Sequence, residues 1–329
     1  MNSGKKIVSL FLLCVSSIFI SNCSQKEKLY HVGILSGINF FAAITDGFKE
    51  KMTELGYVEG KNIIYDVQKK NLDIPSYREV LKKFVNDKVD LIFVFPTDAS
   101  LEAKLITQGT KIPVVFANAL IEEIGLIDSV REPGGNITGV RWPGPDMALQ
   151  RLEIMRELLP KAKRILVPYQ RSSSMVKSQL EVLRQTSFST GLILTELPAD
   201  TAEELEAALK KEADSANHPD AILNIVEPFV VQPDTFMIMA KFAAKLRIPI
   251  GGAFNSSGGY ESVFGLLPQN IPQGRQAAFL ADKVLKAVPA GSIPVVSAES
   301  FLQINYKAAQ KLGLKISSGL LSRANKVIR

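Results

Sequence analysis

The sequence predicts an α/β fold of two doubly wound, mostly parallel-sheet lobes joined by a hinge. The same alternation of buried-strand runs and helix-period segments occurs twice, and prolines and glycines interrupt the pattern between the two occurrences. The chain of 329 residues, 46% of them hydrophobic, is also long enough for two cores. One long sheet is the less favoured alternative, because a single core rarely grows beyond about 250 to 300 residues.

The first occurrence of the pattern opens with the buried-strand run "YHVGILSG" and continues through "NIIYDVQ", "VDLIFVFPTD" and "KIPVVFANA". Helices are predicted between these strands over 42–55, 76–86 and about 99–108, and Gly56 ends the first of them. These elements form one complete alternating unit.

The second occurrence opens with "RILVPYQR" and continues through "LILTEL", "DAILNIVEP" and "RIPIGGAF". Its helices are predicted over 173 to about 185, from Thr201 onward, and over about 234–246. Thr201 is a candidate N-cap, and Glu204 completes the spacing of a capping box.

The joint between the two units is predicted at "TGVRWPGPDM", 138–147, ahead of a helix over 148–159. The tail elements, "VFGLLPQN", a helix over 273–287, "IPVVSA" and "NYKAAQKLG", are too few for a third lobe and must return to the first two. The predicted domains are therefore 30–141 plus about 266–296 for the first lobe, and 142–265 plus about 297–329 for the second.

The start of the chain has the order of a secretory signal. Lys5 and Lys6 precede the uncharged apolar run 7–20, which is shorter than the roughly 20 residues of a membrane-spanning helix. An uncleaved anchor is the alternative interpretation. We expect residues 1–22 to be a signal peptide and 23–29 to be a tether.

The stretch from Ile20 to Cys23 resembles a lipobox, in which an aliphatic and two small residues precede an acylated cysteine, although Asn22 replaces the usual Gly or Ala. The resemblance implies lipidation at Cys23; an idle thiol after an ordinary signal is the alternative. Cys14 would leave with the signal peptide, so the mature chain would contain no disulfide.

Composition and motifs favour binding over catalysis. The formal charge of +6 is spread without a concentrated basic run, which argues against a nucleic-acid partner. His31 and His218 belong to no cluster, and neither a metal spacing nor a GxSxG elbow occurs, so no metal, cofactor or catalytic residue is predicted. The glycines of "PGGNITG" are read as a turn entering a strand rather than as a phosphate loop.

In open parallel sheets, ligands bind beyond the carboxyl ends of the strands, so the loops at those ends are the candidate site. Their hydroxyls, amides, charges and rings suit a small polar or amphipathic molecule. The candidate ligand-binding residues are Ser36, Gly37, Asn39, Thr97, Asp98, Asn118, Trp142, Gln170, Arg171, Glu227, Phe254, Asn255 and Gln269.

Several of these candidates have a second interpretation. Thr97 and Asp98 are suited to cap the helix that follows them. Glu227 lies at the end of an apolar run but also fits a solvated loop. Trp142, the only tryptophan, either walls the cleft or packs the hinge.

Four segments carry a family resemblance: "DGFKEKMTELGYVEGKNI", "PGGNITGV", "RLEIMRELLPKAKRILVPY" and "GRQAAFLADKVLKA". In this order they resemble ABC-transporter substrate-binding proteins related to the TrpX-type tryptophan-binding group, over about 30–328. The resemblance implies a type I periplasmic-binding-protein fold with two lobes, three hinge crossings and a ligand captured between the lobes.

The departures from the family pattern fall in the expected cleft, at 96–99, 226–228, 254–257 and 269–271. Two positions that are acidic in the family are not acidic here, which bears on amino-acid ligands because their ammonium group needs an anion. Glu227 and Asp98 are the carboxylates available to replace them.

The resemblance therefore implies an extracytoplasmic, lipid-anchored and monomeric solute receptor of an ABC importer. Its partners would be a small amino-acid-like or other polar or aromatic ligand, a membrane permease and a separate ATPase subunit. A ligand-sensing module for a membrane receptor uses the same two-lobed architecture. An enzyme on this scaffold, such as a racemase with facing thiols, is disfavoured because the mature chain would lack cysteine beyond Cys23.

Overall fold

Fifteen strands and ten α-helices make up the computed structural model, which describes residues 28–173, 175–213 and 218–329. The strands are β1 (Tyr30–Ser36), β2 (Ile63–Lys69), β3 (Leu91–Phe95), β4 (Val114–Ala119), β5 (Ile137–Arg141), β6 (Arg164–Gln170), β7 (Ile193–Ala199), β8 (Ala221–Leu223), β9 (Ile250–Gly252), β10 (Ser256–Ser257), β11 (Tyr260–Glu261), β12 (Phe264–Pro268), β13 (Val296–Ser297), β14 (Ser300–Asn305) and β15 (Lys326–Ile328). The helices are α1 (Ala43–Glu54), α2 (Ile74–Asn86), α3 (Thr97–Thr107), α4 (Gly144–Leu158), α5 (Val176–Thr190), α6 (Ala202–Ala213), α7 (Pro233–Leu246), α8 (Asn270–Leu285), α9 (Tyr306–Lys311) and α10 (Ser318–Arg323).

The strands form two large sheets, one for each predicted lobe. The first sheet is parallel throughout, in the order β13-β5-β4-β3-β1-β2. The second has the order β15-β14-β12-β9-β8-β6-β7, and its only antiparallel pair is β12 with β14 among the described residues. A two-stranded ribbon, β10-β11, stands apart. The predicted fold class, two parallel-sheet α/β lobes, is confirmed.

Each sheet is covered by helices on both faces, which explains the continuous apolar runs in its central strands. On β1, Val32 and Ile34 pack with α1 and α8, whereas Leu35 packs on the opposite face with α2 and α3. The second sheet divides its strands in the same way between two clusters. Each lobe therefore has its own core, with the loops at the strand ends left to form a site.

Three crossings connect the lobes, in agreement with the number that the family resemblance implies. The chain passes from β5 to α4 through Trp142, from β12 to α8 after Pro268, and from β13 to β14 after Ser297. No helix in the described part of the chain is long and apolar enough to cross a membrane. The predicted signal peptide and the lipidation site at Cys23 lie outside the described residues.

Some predicted boundaries were wrong for identifiable reasons. Helix α4 begins at Gly144 rather than 148, because Pro145 is compatible with a first helical turn. Helix α5 continues to Thr190, where Gly191 takes a left-handed C-cap conformation with φ of 68°. The predicted turn at "PGGNITG" is confirmed, with two glycines at positive φ just before β5.

The predicted capping box at the start of α6 forms only in part. The Glu204 N–H donates to Thr201 Oγ1 at 3.2 Å, as predicted. The Glu204 carboxylate, however, accepts from the Asp200 N–H at 3.0 Å, one residue before the position of a standard box. The strands β14 and β15 and the short helix α10 were not predicted.

Candidate functional site

The carboxyl ends of the strands in both sheets adjoin the same crossings. β5 ends at Arg141, directly before the first crossing, and β12 ends at Pro268, directly before the second. Because β4 runs parallel to β5 and β9 runs parallel to β12, the loops at the carboxyl ends of these parallel strands lie on the sides of the lobes that face each other. We therefore expect the candidate residues, which lie at or near these strand ends, to border one interlobe cleft.

The segment that follows β4 links the two sides of this cleft. Leu120 and Ile124 pack against the core of the second lobe. Glu123 forms an ion pair with Lys177 of α5 at 2.5 Å, with both side chains more than two-thirds exposed. The first lobe thus touches the second through a short apolar contact and a solvent-exposed charge pair.

The loop after β1 supplies Ser36, Gly37 and Asn39. Ser36 is buried, and its Oγ has no hydrogen-bond partner in the described part of the protein. The Gly37 N–H donates to the Phe95 carbonyl at 2.8 Å, and its carbonyl accepts from the Tyr77 hydroxyl at 2.5 Å. A Cβ at position 37 would lie 2.9 Å from the same two oxygens, so this position requires glycine. Asn39 is exposed at the start of a single 3₁₀ turn.

Thr97 and Asp98 do not cap α3, contrary to the alternative derived from the sequence. No side chain caps this helix, and Thr97 Oγ1 instead accepts from the Leu120 N–H at 3.0 Å. Thr97 therefore ties the start of α3 to the end of β4. Asp98 is exposed in the first helical turn, where a negative charge is favourable.

Asn118 has the most unusual backbone of the first-lobe candidates. It lies at a bulge in β4 with φ of 50°, in the left-handed region that few residues other than glycine adopt. It is 8% exposed, and its side-chain amide forms no hydrogen bond within the described residues. Strained backbone with a free polar group is often found where a ligand binds.

In the second lobe, Arg171 and Gln170 follow β6 and already have partners. The Arg171 guanidinium pairs with Asp200 at 2.5 Å and with Glu204 at 3.3 Å, and both pairs are exposed. The Gln170 N–H donates to Glu227 at 3.2 Å. The charge of Arg171 is therefore balanced by Asp200 of the loop after β7 and by Glu204 of the first turn of α6.

Glu227 is buried, not solvated as the alternative from the sequence suggested. It is 1% exposed, and its carboxylate accepts three backbone N–H groups, from Gln170 at 3.2 Å, Phe229 at 2.9 Å and Val230 at 3.1 Å. Burial raises the pKa of this carboxyl above its usual value, although the three N–H donors oppose the shift. Glu227 fixes the loop after β8 against the end of β6.

The remaining candidates lie at the crossings and beside β12. Trp142 is 5% exposed and packs into the core of the second lobe, and a Cβ on Gly144 would lie 2.1 Å from its ring. It therefore packs the hinge. Asn255 donates to the Val231 carbonyl at 3.2 Å, and Phe254 lies against Gly265 of β12. Gln269 is exposed and precedes α8 without a side-chain capping bond.

Sequence reasoning missed two arginines that organise the hinge. Arg141, at the end of β5, donates to Ser297 Oγ at 2.9 Å and to Glu122 at 3.0 Å, and it also pairs with Asp146. It thereby joins the first crossing to the third. Arg151 lies buried in α4. Its spacing from Met147, Ala148 and Leu152 placed it on the apolar face of the helix, a signal that was available in the sequence.

Two open concavities lie elsewhere, around the amino ends of the first-lobe strands. One, of about 620 Å³, is bordered by Arg131, Glu132 and Pro289; the other, of about 450 Å³, is bordered by Lys28, Lys111 and Pro289. Both face away from the strand ends at which α/β sheets bind ligands, so neither is the candidate site.

Two lobes of parallel sheet, three crossings and loops that converge on a cleft define the class of periplasmic binding proteins. Comparison with known proteins supports this class. The sequence model of the ABC transporter substrate binding protein family matches residues 34–328. The chain belongs to this family.

Known relatives and solved structures agree with this assignment. The chain is 26% identical to a tyrosine-binding protein of Clostridioides difficile (strain R20291), over 90% of this chain and 89% of the relative. It resembles the ligand-free, open structure of a substrate binding protein with adhesive properties from Clostridium difficile, with a TM-score of 0.76, 23% identity and coverage of 91% and 99% of the two chains. It also resembles an ABC domain from Streptococcus pneumonia in complex with L-Trp, with a TM-score of 0.70, 22% identity and coverage of 92% and 100%.

Proposed function

We propose that this protein is the extracytoplasmic, lipid-anchored receptor of an ABC importer and that it captures a small amino-acid-like molecule between its lobes. The observation that carries the proposal is the convergence of the strand ends of both sheets on one cleft bordered by three crossings. Such a ligand contacts both lobes only when they close, so binding shifts the population toward the closed state. The closed form would then deliver the ligand to a permease that is powered by a separate ATPase.

Relatives support an aromatic amino acid as the ligand. One relative is named a tyrosine-binding protein, and one similar structure contains L-Trp. In this chain, the free amide of Asn118 and the carboxylate of Asp98 would recognise the polar end of the ligand. Phe254 would contact its ring, since aromatic side chains pack well on apolar rings.

The proposed ligand class is tested with the purified chain from Ser24 to Arg329. L-tyrosine and L-tryptophan are expected to raise its melting temperature, and ligand at 100 times its Kd adds about 2.7 kcal/mol to the free energy of unfolding. D-tyrosine serves as the matched control for stereospecific recognition. If no L-amino acid raises the melting temperature, the amino-acid proposal is wrong, and mass spectrometry of copurified small molecules identifies the class instead.

The proposed anchor is tested separately from the ligand. Membrane-extracted protein is expected to begin at an acylated Cys23, as shown by mass spectrometry of its N-terminal peptide. The variant Cys23→Ser is expected to leave the membrane fraction. Processing at another residue, with a free thiol at Cys23, would overturn the lipid anchor without affecting the fold.

A further inference from the structure

Arg151 is a buried charge without an opposite charge beside it. Its side chain is fully buried in α4, and no carboxylate pairs with it in the part of the chain that the structure describes. Burial lowers the pKa of the guanidinium to about 9, but the group stays protonated at neutral pH. An isolated buried cation is unfavourable for stability, so its presence requires another explanation.

The guanidinium binds backbone next to the second crossing. Its Nε and Nη2 both donate to the Leu266 carbonyl, at 3.0 and 2.7 Å. Leu266 belongs to β12, which ends just before the chain crosses to α8, whereas Arg151 belongs to the helix that follows the first crossing. The Arg151 side chain therefore links α4, which follows the first crossing, to β12, which precedes the second crossing.

Gln179 of α5 extends this link toward the cleft. Arg151 Nη1 donates to Gln179 Oε1 at 3.5 Å, and Gln179 Nε2 donates to the Val226 carbonyl at 3.1 Å and to the Met175 carbonyl at 2.8 Å. Val226 directly precedes Glu227, whose carboxylate holds three backbone N–H groups of the cleft-side loops. A continuous series of buried and partly buried hydrogen bonds thus runs from β12 to the loop after β8.

We propose that Arg151 is a positioning residue that, through Gln179, holds the loop 225–231 in its ligand-ready geometry relative to the hinge. The proposal rests on the proposed function, because this loop borders the cleft in which the ligand would bind. Stability alone does not account for the arginine, since replacing a buried charge with an apolar side chain of similar volume is often neutral or stabilising. A fixed path of hydrogen bonds does account for it, because Arg is the side chain that can hold one carbonyl with two donors and reach a second acceptor.

The test compares Arg151→Met with Arg156→Met, an exposed arginine on the same helix. In ligand-free protein, hydrogen exchange of the Phe229 and Val230 amides is expected to rise roughly 5- to 30-fold in Arg151→Met, the effect of losing one or two hydrogen bonds. Exchange in the first-lobe strands and in Arg156→Met is expected to match the wild type. The affinity for L-tyrosine or L-tryptophan, whichever the wild type binds, is expected to fall by a similar factor, while the melting temperature is kept or raised.

Gln179→Glu separates positioning from support of the core. The new carboxylate gives Arg151 an opposite charge but cannot donate to the Val226 and Met175 carbonyls. A positioning role predicts a melting temperature at or above that of the wild type together with faster exchange at Phe229 and Val230. If Arg151→Met does not fold, Gln179→Glu and Gln179→Met provide the same measurement.

Two results would overturn the proposal. One is unchanged exchange at Phe229 and Val230 in Gln179→Glu, and the other is unchanged exchange at these amides in folded Arg151→Met, whatever its melting temperature. If the wild type binds neither amino acid, the proposed ligand fails, but the exchange measurements in ligand-free protein still decide the role of Arg151.

Discussion

Several polar candidates differ between the two sides of the cleft in whether they already have partners, although the buried Asn224 amide after β8 in the second lobe also lacks one in the described part of the chain. On the first lobe, the Asn118 amide forms no hydrogen bond, and Asp98 forms no ion pair, within the described residues. On the second lobe, Glu227, Arg171 and Asn255 are all engaged within their own lobe. Free polar groups suit initial recognition, whereas engaged groups build a rigid surface that meets the ligand on closure. We therefore expect the first lobe to contribute most of the polar recognition.

The largest loss of stability is expected on substitution of Glu227, whose carboxylate holds the loops of the second lobe together. Glu227→Leu leaves two buried N–H donors and one partly buried N–H donor without an acceptor, so it is expected to lower the free energy of unfolding by about 3 kcal/mol. Denaturant unfolding measures the change, and Glu206→Leu, at an exposed position of α6, is the control. Equal stability of the two variants would show that Glu227 does not organise the second lobe.

The same carboxyl makes stability depend on pH. Because the pKa of Glu227 is raised in the folded chain, the folded state binds its proton more tightly than the unfolded state does. The stabilising effect of this group is therefore full below the usual glutamate pKa and is lost as the pH rises through the raised pKa. The melting temperature of the wild type minus that of Glu227→Gln, measured across acidic pH, is expected to decrease as the pH rises. A difference that grows with rising pH would contradict the burial effect.

Glu227 also shows what the sequence could predict and what it could not. Strand and helix alternation, the two lobes and the loops at strand ends all follow from local apolar patterns, which depend on nearby residues. That three N–H groups converge on Glu227 depends on how loops from β6 and β8 meet, and no local pattern records this. The strands β14 and β15 escaped prediction for the same reason, because β14 is defined by pairing with β12, and β15 by pairing with β14, rather than by their own sequences.

A substitution of Arg141 tests how the crossings connect the two lobes. Its hydrogen bonds to Ser297 and Glu122 connect the first crossing to the third crossing and to the segment after β4. Arg141→Met is expected to weaken this connection by about 2 kcal/mol, since hydrogen bonds to a charged, largely buried group contribute about 1.5 to 3 kcal/mol. Small-angle scattering of ligand-free protein is expected to show a changed radius of gyration, with little change for the exposed control Arg131→Met. An unchanged radius and ligand affinity would mean that Arg141 does not influence the lobe equilibrium.

Asn118→Gly tests the contribution of the first lobe to ligand recognition without disturbing the backbone. Glycine adopts positive φ without strain, so only the amide is lost and the melting temperature is expected to be kept. Ligand affinity is expected to fall by about 1 kcal/mol, the typical net contribution of one hydrogen bond, as measured by calorimetry. In contrast, Asn118→Ala adds backbone strain and is expected to lower stability as well. If Asn118→Gly binds the ligand with wild-type affinity, the polar contacts to the ligand are not made by the side chain at this end of β4.

The smallest effect is expected for Arg171, which is exposed and paired within its own lobe. Arg171→Gln is expected to lower the free energy of unfolding by less than about 1 kcal/mol, because exposed ion pairs contribute little and are screened by salt. Denaturant unfolding at low and high salt measures this difference, and Arg184→Gln, paired with Glu196 on the same lobe, is the matched control. Ligand affinity is the informative quantity. If the second lobe serves as a rigid surface, the ligand affinity of Arg171→Gln is unchanged. If the affinity falls well beyond that of the control, Arg171 exchanges Asp200 for the ligand on closure, and the contrast between the two sides is weaker than their ion pairs and hydrogen bonds indicate.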